Sequence, residues 1–324
     1  MKKILFFTHN IFTRDNPEGY RIHQYFPYLE KLGFEVELLT TKENFMEVLG
    51  RARSADVVYL QRLLLNPLKF SLLRKHAKRL VYDFDDAVMY GTKGESRTRR
   101  SRFARVIKNA DAVFCGNRFL CNEAGRYRKN DIFYIPTVVD TDEYPVKQHA
   151  DKAPFVVGWI GSGSTARYLL DIRQLFTAYA NEEGITFKFI ADKPPEMSLD
   201  ERYLIFEKWQ KEKEKTSFLD FDMGIMPVRD DIWSRGKCGL KLIQYMAAGL
   251  PSLTHPVGAA REMIDDGVTG FLREDFEGWK GAIDELSGNV HLRKRMGKAA
   301  REYAADKFSL KSWGPKVSEI INLL

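Results

Sequence analysis

Short runs of β-branched and aromatic residues alternate with longer stretches of helical periodicity along almost the whole chain, and this alternation restricts the fold more than any other feature. Residues 4–7, 36–39, 57–60, 80–84, 112–115 and 132–135 read as buried strands. Between them, residues 20–32 carry Ile22, Tyr25, Phe26, Leu29 and Leu32 at three/four spacing and stop at Gly33, which is the pattern of a capped helix. Residues 44–53, 68–76, 101–109 and 118–127 repeat it. Strands that are apolar on both faces and separated by helices belong to a parallel sheet.

Residues 140–154 are polar and extended, with Pro145, Gln148 and Asp151, and read as a linker. A second series of the same kind follows. Its strands fall at 155–160, 186–191, 203–208, 223–227, 252–254 and 270–272. Its helices fall at 165–180, 239–248, 276–286 and 291–307, with a charged helix near 210–218 and a short element at 261–264. The expected fold class is therefore α/β, with two Rossmann-like doubly wound parallel-sheet domains, 1–150 and 151–307, facing across a cleft. Charge runs at 182–184 and 211–215 read as solvated surface. Ligands of such sheets sit beyond the carboxyl ends of the strands, which singles out the loops at 8–20, 83–92, 161–166, 229–239 and 255–260.

Apolar residues make up 44% of the chain, enough for two cores. No stretch approaches the roughly eighteen consecutive apolar residues of a membrane span. The apolar run after Met1 is too short for a secretory signal and ends in His9 and Asn10, so it reads as the first strand. Cys115, Cys121 and Cys238 lack metal-type spacing and read as reduced thiols of a cytoplasmic protein. A net charge of +7 suits polyphosphate, anionic lipid or nucleic acid. The chain has no helix-turn-helix, zinc-finger or RNP-type motif, which argues against nucleic acid.

The segment Arg235-Gly-Lys-Cys-Gly-Leu-Lys241 runs into a helical stretch ended by Gly249-Leu-Pro251. Lys237 and Lys241, at and just inside a helix N-terminus, are placed for a phosphate together with the N–H groups of that terminus. In Gly161-Ser-Gly-Ser-Thr-Ala-Arg167, the backbone at Gly163 and the hydroxyls of Ser162, Ser164 and Thr165 offer further phosphate contacts. Helix N-capping is the competing role for Ser164 and Thr165. Tyr82-Asp-Phe-Asp-Asp-Ala87 ends the fourth strand. Its three carboxylates admit a metal reading; strand alternation instead sends Asp83 and Asp85 to one side. Gly19 allows close backbone approach at the end of the first loop, and Arg21 and His23 open the helix after it.

The stretch from Gly236 to Gly258, followed by Glu262-Met-Ile-Asp-Asp-Gly-Val-Thr-Gly-Phe-Leu272, resembles the donor-binding region of retaining nucleotide-sugar glycosyltransferases of the "group 1", family-four class, which have the GT-B fold. Gly158-Trp-Ile-Gly-Ser-Gly-Ser-Thr165 and Phe221-Asp-Met-Gly-Ile-Met-Pro227 are similar to a bacterial subgroup of that class. The resemblance covers the second domain and reaches the first by topology. It implies transfer of a sugar from a nucleotide-diphosphate donor to an acceptor hydroxyl with retention of configuration, in cell-surface glycan, glycolipid or secondary glycoconjugate synthesis. It implies no metal and no other cofactor.

Carried onto this chain, the resemblance puts the donor diphosphate at Lys237, Lys241, Gly163, Ser164 and Thr165. Members carry two glutamates eight positions apart, for the sugar and the ribose; these positions fall on Gly236 and Gln244. Gln244 keeps an amide for ribose hydroxyls, and Gly236 offers only backbone to the sugar. Glu262 matches a glutamate near the nucleotide and sugar, and a first-turn helix carboxylate is its plainer role. The acceptor side falls to the first domain, with Gly19 and Arg21. One of Asp85 and Asp86 stands where relatives place a histidine and contacts the donor sugar or acceptor hydroxyl as the catalytic carboxylate. Residues 308–324 cross back onto the first domain, with Trp313 as anchor.

Residues 93–108 gather Lys93, Arg97, Arg99, Arg100, Arg102, Arg105 and Lys108 around Phe103, Val106 and Ile107. This is the basic outer face of a helix, or a dock for an anionic membrane or lipid-linked acceptor at the inner membrane face. Two other classes stay open. An epimerase on the same fold needs a denser set of acid/base residues. A non-catalytic nucleotide-sugar binding protein fits the absence of both glutamates.

Overall fold

The computed structural model describes residues 1–9, 20–91, 94–180, 184–195 and 204–324. Gly19, Lys93, Glu182 and Tyr203, each named from the sequence, lie outside these residues. The chain divides into two compact units. The first is Met1–Val138 with Asp231–Cys238 and Leu310–Leu324; the second is Val139–Asp230 with Gly239–Ser309. The first boundary therefore falls at Val138, ahead of the stretch read as a linker. That stretch belongs to the second unit because tertiary bonds fix it there. Lys147 N–H donates to the Ala248 carbonyl at 2.9 Å, the Lys147 ammonium stands 3.3 Å from Asp222, and His149 Nε2 lies 3.0 Å from the Gly249 carbonyl.

In the first unit, strands β1 (Lys2–Thr8), β2 (Phe34–Thr40), β3 (Val57–Gln61), β4 (Arg79–Phe84), β5 (Ala112–Cys115) and β6 (Ile132–Tyr134) form one parallel sheet in the order β2-β1-β3-β4-β5-β6. Alternation divides their side chains between two cores. Leu5, Phe7, Val58, Leu60, Tyr82 and Phe84 enter one; Ile4, Phe6, Tyr59, Val81 and Phe114 enter the other, with Val317 and Ile321 of the helix Leu310–Asn322. Trp313 of that helix meets the Tyr134 ring edge-on at 6.1 Å.

The helices between these strands are α1 (Phe26–Lys31), α2 (Phe45–Ser54), α3 (Pro67–His76), α4 (Arg97–Asn109) and α5 (Arg118–Gly125). The side chains of Asn44, Asn66, Ser96 and Asn117 accept first-turn N–H bonds and set where the last four begin. The helix expected over 20–32 is shorter. A 3-10 turn at His23–Tyr25 precedes α1, because Pro27 lacks an N–H and fits only the first turn of a helix.

In the second unit, β7 (Phe155–Ile160), β8 (Ile185–Ala191), β9 (Leu204–Lys208), β10 (Met223–Met226), β11 (Ser252–Thr254) and β12 (Gly270–Leu272) form a parallel sheet in the order β12-β11-β10-β7-β8-β9. Trp159, Phe176, Phe187, Phe189 and Trp279 fill its main core. The helix expected over 165–180 is broken into Gly163–Ala166, a 3-10 segment Arg167–Ile172, and Arg173–Ala178. The charged helix expected near 210–218 is instead two 3-10 turns, Lys211–Lys213 and Ser217–Asp220. Only Ser217 and Phe218 of that stretch are buried, too little apolar surface for an amphipathic face. The element at 261–264 is the short helix Ala260–Met263.

Each sheet changes direction once, between β1 and β3 in the first unit and between β7 and β10 in the second. Doubly wound sheets bind ligands beyond the carboxyl ends of the strands at such points.

Candidate functional site

At the first switch point β1 ends in Thr8 and β3 in Gln61, and the Thr8 hydroxyl donates to Gln61 Oε1 at 2.7 Å. Arg62 follows β3 directly. Its guanidinium reaches both carboxylates beyond the end of β4: Nε bonds Asp85 Oδ1, and Nη2 stands 2.8 Å from Asp86 Oδ2. Gln61 Nε2 lies 3.4 Å from Asp85 Oδ1. Burial pushes the Asp85 carboxyl up, but the Arg62 and Arg21 charges outweigh it and hold it below the ordinary value. Burial also pushes Asp86 up, and there it prevails over Arg62. The two expected catalytic carboxylates therefore sit together on one guanidinium, with their pKa values moved in opposite directions, Asp85 down and Asp86 up.

Asp83 is a different case. It is fully buried and Arg21 closes on it, Nε to Oδ2 at 3.1 Å with Nη2 bonding Oδ1, while Nη1 donates to the Ile135 carbonyl. Arg21, expected on the acceptor side, is instead an interior residue, 3% exposed. The pairing follows from strand alternation, which turns Asp83 into the core beside Tyr59 while Asp85 lies past the end of β4. The three carboxylates thus do not share one site. Among the described residues no three His, Cys, Asp or Glu side chains are grouped to hold a metal ion.

The Gly/Lys segment divides between the units at Cys238 and Gly239. Asp231 caps the short helix Ile232–Arg235, and Asn117 Nδ2 donates to the Arg235 and Lys237 carbonyls at 3.1 and 3.0 Å. A Cβ on Gly236 would lie 2.6 Å from Ala87 Cβ and 2.9 Å from its backbone nitrogen, so position 236 has no room for a side chain. Gly236 is thus a packing glycine of the first unit, where a sugar contact was expected. Lys237, expected on the helix N-terminus, lies with its ammonium 3.8 Å from Asp86 and over the Trp233 ring. Cys238 Sγ donates to the Asp85 carbonyl at 3.2 Å.

In the second unit Gly239, with φ of 66°, starts the helix Leu240–Ala247. Lys241 in its first turn places Nζ 3.3 Å from Thr165 Oγ1 and 5.6 Å above the Trp159 ring. Trp159 belongs to β7 and Thr165 to the short helix Gly163–Ala166 that follows it, so three elements bring a cation, a hydroxyl and a helix N-terminus to the β7 end of the switch point. Gly163 N–H donates to Asp192 Oδ1 at 2.9 Å, so in this structure it ties the segment after β7 to the one after β8. Ser164 lies in the helix Gly163–Ala166. Gln244, expected at the ribose, is 3% exposed, and its Nε2 bonds Tyr144 Oη at 3.3 Å and Glu214 Oε1 at 2.5 Å. Both amide hydrogens are committed to a buried network. Glu262 is exposed in the helix Ala260–Met263, and its carbonyl accepts from Tyr303 Oη at 3.3 Å.

Sequence reasoning passed over Arg62, Trp159 and His255. His255 Nδ1 accepts from Val228 N–H at 3.2 Å at the end of the β10 strand, and its ring lies 4.8 Å from that of Trp279. The available signal was positional, since each falls at or beside the carboxyl end of a strand: β3 and β7 flank the switch points, and His255 follows β11, one strand further out. The structure also shows how the basic stretch is used. Arg100 pairs with Glu95 and Glu123, and Arg99 donates to the Val88 carbonyl, whereas Arg97, Arg105 and Lys108 are exposed on α4.

Residues 155–289 match the model of the family described as Glycosyl transferases group 1; that stretch takes in the sheet of the second unit together with Asp231–Cys238 of the first. A 145-residue segment, 44% of the chain, is 27% identical to an uncharacterized 41.2 kDa protein in the cps region of Klebsiella pneumoniae. A 172-residue segment, 50% of the chain, is 24% identical to spore coat protein SA of Bacillus subtilis (strain 168). Each match spans 38% of the relative's length. The crystal structure of Anabaena Alr3699/HepE in complex with UDP and glucose is similar at a TM-score of 0.75, over 100% of both chains and at 16% identity. That likeness is one of fold, the GT-B fold of two Rossmann-like units.

Proposed function

We propose that the chain transfers a sugar from a nucleoside-diphosphate donor to an acceptor hydroxyl with retention of configuration. The observation that carries this reading is the Lys241–Thr165 pair, 3.3 Å apart beside the switch point of a domain that matches group 1 glycosyl transferases. A lysine, a hydroxyl and a helix N-terminus there suit a diphosphate, whose charge grows as the sugar leaves. HepE is described with UDP and glucose, which makes a uridine nucleotide the first donor to test. Retention follows the class that the donor segment resembles. The reading includes no metal.

In this reading the diphosphate is held by Lys241 and Thr165, with Ser164 beside them. Gln244 braces the helix from behind through Tyr144 and Glu214. The first unit supplies the acceptor side, where Asp86, with Lys237 beside it, receives the acceptor proton. The bond from the anomeric carbon to the diphosphate breaks, its electron pair leaving with the nucleotide, and the acceptor oxygen bonds that carbon on the face the diphosphate departs from, which keeps the configuration. The acceptor belongs to a surface glycan or glycolipid, in keeping with relatives described from a cps region and a spore coat. No helix among the described residues is long and apolar enough to cross a membrane. The exposed Arg97, Arg105 and Lys108 suit peripheral contact with an anionic surface from the cytoplasm.

A thermal-shift panel of nucleotides and nucleotide sugars tests the donor half, since a ligand of the folded state raises the melting temperature by mass action. Stabilisation by one nucleoside diphosphate and its sugar is expected, followed by transfer or slow hydrolysis of that sugar nucleotide. Binding without either reaction on any acceptor would make the chain a binding protein, the outcome that Gly236 and Gln244 in place of two glutamates would then explain.

A further inference from the structure

Arg62 has a backbone that its residue type does not favour. Its φ is 59°, in the left-handed region, and such a residue persists only where its surroundings fix it. Asp131, the other non-glycine residue with positive φ among those described, is of a type that tolerates this conformation in turns; arginine is not. Bonds to Asp83, Asp85 and Asp86 hold Arg62. Its N–H donates to the Asp83 carbonyl at 2.8 Å, Nε to Asp85, and Nη2 lies 2.8 Å from Asp86 Oδ2. The left-handed turn is what swings the side chain from the end of β3 across the end of β4. Among the described residues Arg62 alone makes ion-pair contact with both carboxylates.

We propose that Arg62 is a positioning residue for glycosyl transfer, whose fork fixes Asp85 as a permanent counter-charge and leaves Asp86 Oδ1 to receive the acceptor's proton. This rests on the transferase reading above. The fork is the essential part. Arginine can bind two neighbouring carboxylates through separate nitrogens in one plane, whereas a lysine ammonium is a point charge. Asp85 takes Nε of Arg62 and is also near Gln61, so it is held at two points; Asp86 takes a single nitrogen through Oδ2, with Oδ1 3.8 Å from Lys237. The other charged and titratable groups facing the cluster are Arg21 and Asp83 behind it, Cys238 beside it, and His9 toward Arg62, with Arg99 beside His9. None of these spans the pair.

The experiment compares wild type, Arg62→Gly and Arg62→Lys. Glycine adopts the left-handed backbone without cost, so it removes the guanidinium while sparing the turn. Removing a cation that lowers both carboxylates raises their pKa values by about one unit or more, so the acid limb of the kcat/KM profile for transfer should move up in pH by about that amount. Turnover should fall about tenfold or more in both variants, with affinity for UDP, read by calorimetry, within about twofold of wild type. In parallel, 13C NMR of Asp-labelled protein follows the Asp85 and Asp86 titrations, assigned with Asp85→Asn and Asp86→Asn. An unmoved acid limb and unmoved titrations in Arg62→Gly, or full rescue by Lys, would overturn the proposal. If the wild type transfers no sugar, the functional reading fails by itself, and the NMR titrations still decide whether Arg62 separates the two carboxylates.

Discussion

Arg21 and Asp83 oppose each other inside the first unit, with side-chain exposures of 4% and 0% and a two-pronged contact between guanidinium and carboxylate. A pair so deep exchanges the solvation of two charges for their mutual attraction, and its removal is asymmetric. Arg21→Leu leaves the buried Asp83 carboxyl without its partner, and should lower unfolding stability by about 3–5 kcal/mol in urea titrations. Arg21→Leu with Asp83→Leu removes both charges and should recover most of that loss. Equal losses in the single and double variants would show that the pair is not what makes Arg21 costly to replace.

Lys241 lies against Trp159 and Thr165 and is the cation expected to meet a nucleoside diphosphate. Lys241→Met keeps a stem to pack on Trp159 and removes the charge. A charge-assisted hydrogen bond contributes about 1.5–3 kcal/mol, so UDP affinity should fall about ten- to a hundredfold by calorimetry. The melting temperature without nucleotide should stay within a few degrees of wild type. Unchanged affinity would move the diphosphate elsewhere on the unit.

Two histidines of the second unit, His149 and His255, are held neutral chiefly by burial, which lowers both from an ordinary value of 6.5. Below that value the unfolded chain binds protons that the folded one does not. Stability contributed by the neutral rings is therefore complete above pH 6.5 and declines as pH falls toward their depressed values. Each contributes a slope of up to about 1.4 kcal/mol per pH unit in that window. His149→Gln, whose amide can still donate to the Gly249 carbonyl, should flatten the acid side of the stability profile measured by urea unfolding at several pH values. A profile identical to wild type would assign the acid sensitivity to other groups.

The basic face of α4 should bind anionic vesicles through Arg97, Arg105 and Lys108, the residues its other contacts leave exposed. Each basic side chain at a membrane surface contributes about 1 kcal/mol, so changing the three to Gln should weaken co-sedimentation with phosphatidylserine vesicles by roughly a hundredfold. Salt should weaken the wild type in the same direction. Binding indifferent to both salt and lipid charge would remove the membrane from the functional reading.

Most strands and many helices were legible in the chain. A strand buried on both faces must be an apolar run, as in residues 112–115, and an Asn or Ser ahead of a helical pattern fixes a helix start, as Asn44 and Asn117 do. The misreadings have physical causes. The 165–180 stretch has helical periodicity yet breaks at a 3-10 segment where Tyr168 and Leu169 are buried. The polar 140–154 stretch read as a linker because its bonds to Ala248, Gly249 and Asp222 join residues far apart in sequence.

The candidate site shows the same division. The sequence by itself determined that two parallel α/β sheets would form, that a Gly/Lys loop would lead into a helix of the second, and that the chain would resemble group 1 glycosyltransferases through that segment. These follow from local periodicity, caps and contiguous motifs. Only the tertiary structure decided that Lys237 stands with Asp86 while Lys241 stands with Thr165, that Arg21 lies in the core, that Gly236 is pressed on Ala87, and that Arg62 spans two carboxylates. Each of those partnerships joins residues that are distant along the chain. Strand order and close packing bring them together, and no local pattern in the sequence encodes either.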